Sequence, residues 1–209
     1  PVPSELDYDM WLGPAPYKPY NAHRVHQTFR GYWDYDAGGL GDMGQHYIDP
    51  VQYILGKDNT SPVKVEVDAP QQHPDAVGTW RSITYTYEDG CQIVLWGGDY
   101  GDPNTPYIAG PKGNVYKNFV CDIPDWEKKL SDFPDPEPQV TDFIESVKTR
   151  QPFALNERNG FRSATIENMG GVALRLNRTL HFDPEKLEFI NDDAANRLID
   201  QPIRSPWDI

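Results

Sequence analysis

Asp42 and His46 are the side chains best placed by type and spacing to do chemistry. They lie four residues apart in GGLGDMGQHYID, so on a helix they share one face. Asp49 extends that face by a further turn. An imidazole ionises near neutrality and can take or give a proton at working pH. A neighbouring carboxylate can fix the ring tautomer or accept a hydrogen bond from a substrate hydroxyl. The plain alternative is a surface i,i+4 ion pair at a helix N-terminus, where an Asp is favoured by the dipole. Glycines at 38, 39, 41 and 44 weigh against it, because they let backbone and ligand approach closely. Arg30, Trp33, Asp34 and Tyr35 directly precede this stretch and are the candidates for substrate binding. A guanidinium suits paired hydroxyls, and a Trp face suits a sugar ring. For Trp33 and Tyr35 core packing is the competing reading.

Gly39-Leu40-Gly41-Asp42-Met43-Gly44 matches GxGxxG literally, yet the dinucleotide reading fails on context. No aliphatic first strand precedes it, strands follow strands downstream, and Asp42 would set a carboxylate against a pyrophosphate. His23 and His26 sit in a Pro-flanked loop with no third ligand and read as non-metal.

The elements that must position these residues follow from periodicity. Leu40, Met43, Tyr47, Val51 and Ile54 form one apolar stripe and predict a helix over 39–55, with Gly56 at its C-terminal cap. Pro50 should kink that helix or restart it. The period then becomes two at Val63, Val65 and Val67, again at Ile83, Tyr85 and Tyr87, and an Asp89-Gly90 turn leads into CQIVLW at 91–96. A further strand is expected over 113–123. Helices are predicted over 139–149 and 158–177, a short strand pair in LHFDPEKLEFI, and a short helix near 193–199. No helical pattern separates the strands. The fold class is therefore α+β, an open, mainly antiparallel sheet with helices on one face. Residues 1–37, rich in Pro and aromatics, read as an irregular arm, and 38–209 as a single domain. The uncovered sheet face, expected to carry Thr, Tyr and Trp, is a candidate surface for a homo-oligomer.

The 209 residues suffice to bury a core without disulfides, and Cys91 and Cys121 make no disulfide framework or zinc pair. A formal net charge of −13 excludes nucleic acid and anionic membrane as natural partners. No apolar run approaches the roughly 20 residues of a membrane span, and no signal peptide is visible. The chain thus reads as soluble, cytoplasmic or periplasmic. It opens Pro1-Val2-Pro3 without an initiator Met and reads as a piece of a longer protein.

GGLGDMGQHYID, a glycine pair followed by DxGxHxxD, resembles the signature of the Gfo/Idh/MocA oxidoreductases. WLGPAPYKPYN, YWDYDAGG and DDAANRLIDQPIRSPW are similar to the branch found in sugar-degrading bacteria, so the resemblance spans essentially the whole chain. It implies a C-terminal substrate and dimerisation domain, with Asp42 and His46 at the substrate assisting proton transfer. It also implies NAD or NADP held by an N-terminal Rossmann domain that is absent here together with its Glu-Lys-Pro lysine, so these residues themselves bind no cofactor and no metal. The substrate class implied is a small carbohydrate or cyclitol. Two alternatives remain: an NAD-dependent glycosidase working through a transient keto sugar, and a non-catalytic glycan-binding or dimerisation module.

Overall fold

The two long helices and the first three strands of the main sheet arise where the apolar period sets them. The computed structural model describes residues 1–98, 102, 104–134 and 140–207. The chain divides into two compact units, Pro1–Gly98 with Glu157–Ile209, and Asp99–Asn156. The first unit opens with α1 (Tyr8–Leu12), α2 (Gly38–Ile54), β1 (Lys64–Asp68), β2 (Ser82–Thr86) and β3 (Gln92–Trp96). The second holds β4 (Ile108–Gly110), β5 (Gly113–Val115), α3 (Trp126–Ser131) and α4 (Phe143–Thr149). The first unit then resumes with α5 (Glu157–Leu176), β6 (Leu180–Asp183), β7 (Glu188–Phe189) and α6 (Asp193–Asn196).

The sheet of the first unit has five strands in the order β3-β2-β1-β6-β7, and every pairing is antiparallel. Val65 stands opposite Tyr85, and Tyr85 opposite Ile93, so one face is apolar along its width. Val65, Ile83 and Tyr85 on that face are fully buried. Burying one such aliphatic side chain stabilises by about 1.5–3 kcal/mol, so a one-residue slip that turned them outward is strongly disfavoured. Leu40 and Ile48 of α2 and Ile166, Met169, Ala173 and Leu174 of α5 complete the core.

α2 and α5 pack on each other through small residues. A Cβ at Gly170 would lie 2.1 Å from the Tyr85 hydroxyl and 3.1 Å from Leu40 Cδ2. Both helices end in the same way. Lys57 N–H donates to Gln52 O at 2.9 Å and Gly56 N–H to Tyr53 O at 3.0 Å, with Gly56 left-handed. Arg178 N–H donates to Ala173 O at 3.3 Å and Asn177 N–H to Leu174 O at 3.1 Å, with Asn177 left-handed. These paired bonds satisfy the last carbonyls of each helix. Pro50 neither ends nor restarts α2, which is assigned as one helix through it.

The arm at the N-terminus is ordered by its own aromatics. Tyr8, Leu12 and Val25 are buried with Trp11, Tyr20 and Tyr35 around them, and the Trp11 and Tyr35 rings meet edge to face at 5.0 Å. Arg204 ties the C-terminal segment to this arm by donating to Asp9 Oδ1 at 2.6 Å and to Gly13 O at 2.9 Å.

Three expectations are corrected. The strand expected over 113–123 does not join the main sheet: β5 ends at Val115 and pairs with β4 as a two-stranded hairpin of the second unit. The helix expected over 139–149 starts at Phe143, capped by the Asp142 side chain accepting from Glu145 N–H at 2.9 Å, and also belongs to the second unit; residue 139 lies outside the described residues. Tyr85 and Tyr87 are buried in the core rather than on the uncovered sheet face, where Val94 and Trp96 are exposed.

Candidate functional site

The start of α2 is shaped by close packing. Ala37, just before the helix, is left-handed at φ 59°, and Gly38 follows at φ 71° with no room for a Cβ beside Val77. A Cβ at Gly41 would fall 1.7 Å from the Asp36 carbonyl oxygen. The glycines therefore seat the turn 32–37 against the first turn of the helix, and the next turn carries Asp42 and His46 on one surface.

Asp42 is held by a distant partner rather than by the histidine. Arg30, in the short 3-10 segment His26–Gly31, donates Nε–H to Asp42 Oδ1 at 2.8 Å. The guanidinium also lies over the Phe29 ring at 5.1 Å from its centroid. His46, one turn on, is exposed and has no hydrogen-bond partner among the described residues. Its ring is free to meet a ligand. Asp49 is half-buried on the following turn.

The other predicted residues are distributed differently. Trp33 is buried in the main core and donates its indole N–H to His73 O at 3.0 Å. Asp34 lies 3.7 Å from the Lys18 ammonium, which also bonds Asp75 at 3.0 Å. Tyr35 sits in the aromatic cluster of the arm, and burial raises the pKa of its hydroxyl. Asp34 and Tyr35 share a groove of about 510 Å³ with Trp11, Pro14, Phe29 and Ile203. Phe29 is thus at once a wall of that groove and the platform of Arg30, which binds Asp42.

Two carboxyls escaped the sequence reading. Asp36 Oδ2 and Glu167 Oε2 are both buried without a hydrogen-bond partner. Burial, and secondarily the charge of Asp36, raises the Glu167 carboxyl to about 7. Burial also raises Asp36, with the Asp42 charge adding to it and Arg30 opposing. Gly44 makes this possible, since a Cβ there would come within 3.3 Å of Glu167 Cγ. The spacing of Gly44 between Asp42 and His46 was legible, but its partner on α5 was not.

The whole chain, residues 1–209, matches the family described as the C-terminal alpha/beta domain of the Gfo/Idh/MocA oxidoreductases. The chain belongs to this family. A search of curated proteins finds no match to it.

The Gfo/Idh/MocA oxidoreductases are implied to use a nicotinamide dinucleotide, and the residues of this domain do not fit one. The described residues include no parallel strand pair. The GxGxxG match opens α2 after a 3-10 segment and turns, and its Gly41 and Gly44 are spent against Asp36 and Glu167 instead of leaving backbone open to phosphate. No group of three metal-ligating side chains occurs among the described residues, and no helix there is long and apolar enough to cross a membrane.

Proposed function

We propose that this Gfo/Idh/MocA domain is the substrate-binding part of an NAD(P)-dependent oxidoreductase acting on a small carbohydrate or cyclitol, with the cofactor supplied by a Rossmann domain outside these residues. The observation that carries this reading is the continuity from groove to helix: an aromatic groove bearing Asp34 and Tyr35 shares Phe29 with the Arg30–Asp42 pair, one turn from an unpartnered His46.

Each group has a role its surroundings suit. The flat faces of Trp11 and Tyr35 offer apolar contact to a ring, and Asp34 accepts hydrogen bonds from ring hydroxyls. Arg30 aims the Asp42 carboxylate, which accepts from a hydroxyl of the substrate while its charge stays balanced. His46 takes the proton of the hydroxyl on the reacting carbon, because its exposed ring has no other partner among the described residues. Asp49 borders the same helix face and contributes a further acceptor.

Replacing His46 with Ala in the full-length enzyme should lower kcat by about 10²–10⁴, the usual worth of a positioned general base. Cofactor affinity should not change. Arg30→Ala and Asp42→Asn should have similar, smaller effects, and should not add when combined, because the two groups act as one pair. An unaltered kcat in His46→Ala would refute the assignment.

A further inference from the structure

A second cavity lies between α5, the β6–β7 pair and the segment after α6, and it touches the groove only at Gln201. Its volume is about 330 Å³, within the span of small-molecule sites, roughly 300–1,000 Å³. Trp33, Phe161, Met169, Val172 and Phe189 supply its apolar wall, and Arg175 stands among them.

The state of Arg175 is what distinguishes this cavity from a packing gap. Every other partly buried arginine among the described residues binds an oxygen of the protein. Arg24 meets Asp75 at 2.5 Å, Arg162 the Ser61 hydroxyl at 3.3 Å, and Arg204 Asp9 at 2.6 Å. Arg175 has no ion pair and no hydrogen bond among the described residues, and its guanidinium lies over the Trp33 ring at 5.8 Å from the centroid. The chain carries 32 acidic residues, so a carboxylate partner was readily available in composition. The Arg175 nitrogens stay open to solvent, so an anion from outside can reach them and form a charge-assisted pair. The Trp33 ring flanks the guanidinium, whose fork of N–H groups suits a planar, two-oxygen acceptor. The apolar wall requires that the acceptor carry a hydrophobic body.

We propose that this cavity binds a small amphipathic acid, an aromatic ring or short alkyl chain ending in a carboxylate, with the carboxylate on Arg175 and the body against Met169, Val172 and Phe189. The site borders the substrate groove at Gln201 but differs from it in ligand chemistry, and does not depend on the redox reading.

Calorimetric titration of the chain with 4-phenylbutyrate, and with 4-phenylbutanol as the uncharged match, tests it. Saturable binding of the acid is expected, weakened about ten- to hundredfold in the alcohol, which cannot form the charged pair. Arg175→Ala should bind acid and alcohol alike. Val172→Phe, which fills the cavity and leaves the charge, should lose both. Should Arg175→Ala fail to fold, amide and indole shifts of the wild-type chain decide the matter: the acid must perturb the Trp33 indole N–H and the Thr165 amide. Equal affinity for acid and alcohol, no saturation, undiminished binding in Arg175→Ala, or shifts confined to residues remote from α5 would each overturn the site.

Discussion

Glu167 illustrates how burial at one residue sets a property of the domain. Its carboxyl is held protonated up to about 7, against an ordinary value of 4.5, first by burial and then by the charge of Asp36. The unfolded chain releases this proton near the ordinary value, whereas the folded chain keeps it. Folding therefore takes up a proton between those two limits, and stability falls as pH rises through that interval. Above it, both states are ionised and the contribution is level. Glu167→Gln is neutral at all pH and keeps the shape of the side chain. Its melting temperature relative to the parent should rise steadily between about pH 4.5 and pH 7, then stay constant. Parallel melting curves across that range would show that Glu167 is not the titrating group. Asp36, Asp42 and Arg30 surround the same spot from the preceding turn, from α2 and from the 3-10 segment, and Tyr85 from β2. The measured slope belongs to that set with Glu167 as its leading member.

At the scale of elements, the contact of α2 with α5 decides where the candidate base stands. Gly170 admits the Tyr85 hydroxyl, which an added Cβ would approach to 2.1 Å, and Leu40 packs alongside. Neither Tyr85 nor Leu40 has exposed surface into which it can retreat. Gly170→Ala should therefore destabilise the chain by about 1–3 kcal/mol, the usual cost of overpacking a dense core. Gly171, its neighbour, has nothing within 4 Å of a Cβ, so Gly171→Ala should be neutral or slightly stabilising. Chemical denaturation of the two variants side by side separates a packing effect from helix propensity. If both lose stability equally, the close approach of α5 to Tyr85 is not what limits the site. A shift of α2 would carry Asp42 and His46 with it, so Gly170→Ala in the full enzyme should also reduce turnover.

For the whole molecule, the sheet face opposite the buried Val65, Ile83 and Tyr85 is a candidate contact surface. Val94 and Trp96 are exposed there on β3, at 41% and 47%. A two-fold pairing of like faces is the expected assembly, and light scattering at tens of micromolar, an order-of-magnitude working range for such contacts, should report a dimer. Trp96→Lys should shift that equilibrium to monomer without unfolding the chain, since the side chain is half in solvent. A monomeric wild-type chain at that concentration would leave the face without this role.

The two periods in the sequence were enough to read α2, α5 and strands β1 to β3, because residues three or four apart, or two apart, must share a face. The same logic put Asp42 and His46 on one side of a helix and excluded the glycine motif as a cofactor site, since no alternating helices followed the strands. The strand pair around Asp183 and Leu187 was equally legible from its turn. Tertiary structure alone decided the partners. Arg30, twelve residues before Asp42, takes the carboxylate that spacing had offered to His46. Trp33 went into the core, with its indole on His73 forty residues away. The strand expected over 113–123 forms only at Gly113–Val115, where it pairs with Ile108–Gly110 as a hairpin of the separate unit. Glu167 carries no signal in the sequence, and its burial comes from the packing of Gly44 on α2 against it. Local periodicity reports which residues share a face, because it is imposed by the backbone of one element. Which distant charge or ring completes that face depends on how elements pack, and that is settled by burial summed over the whole core.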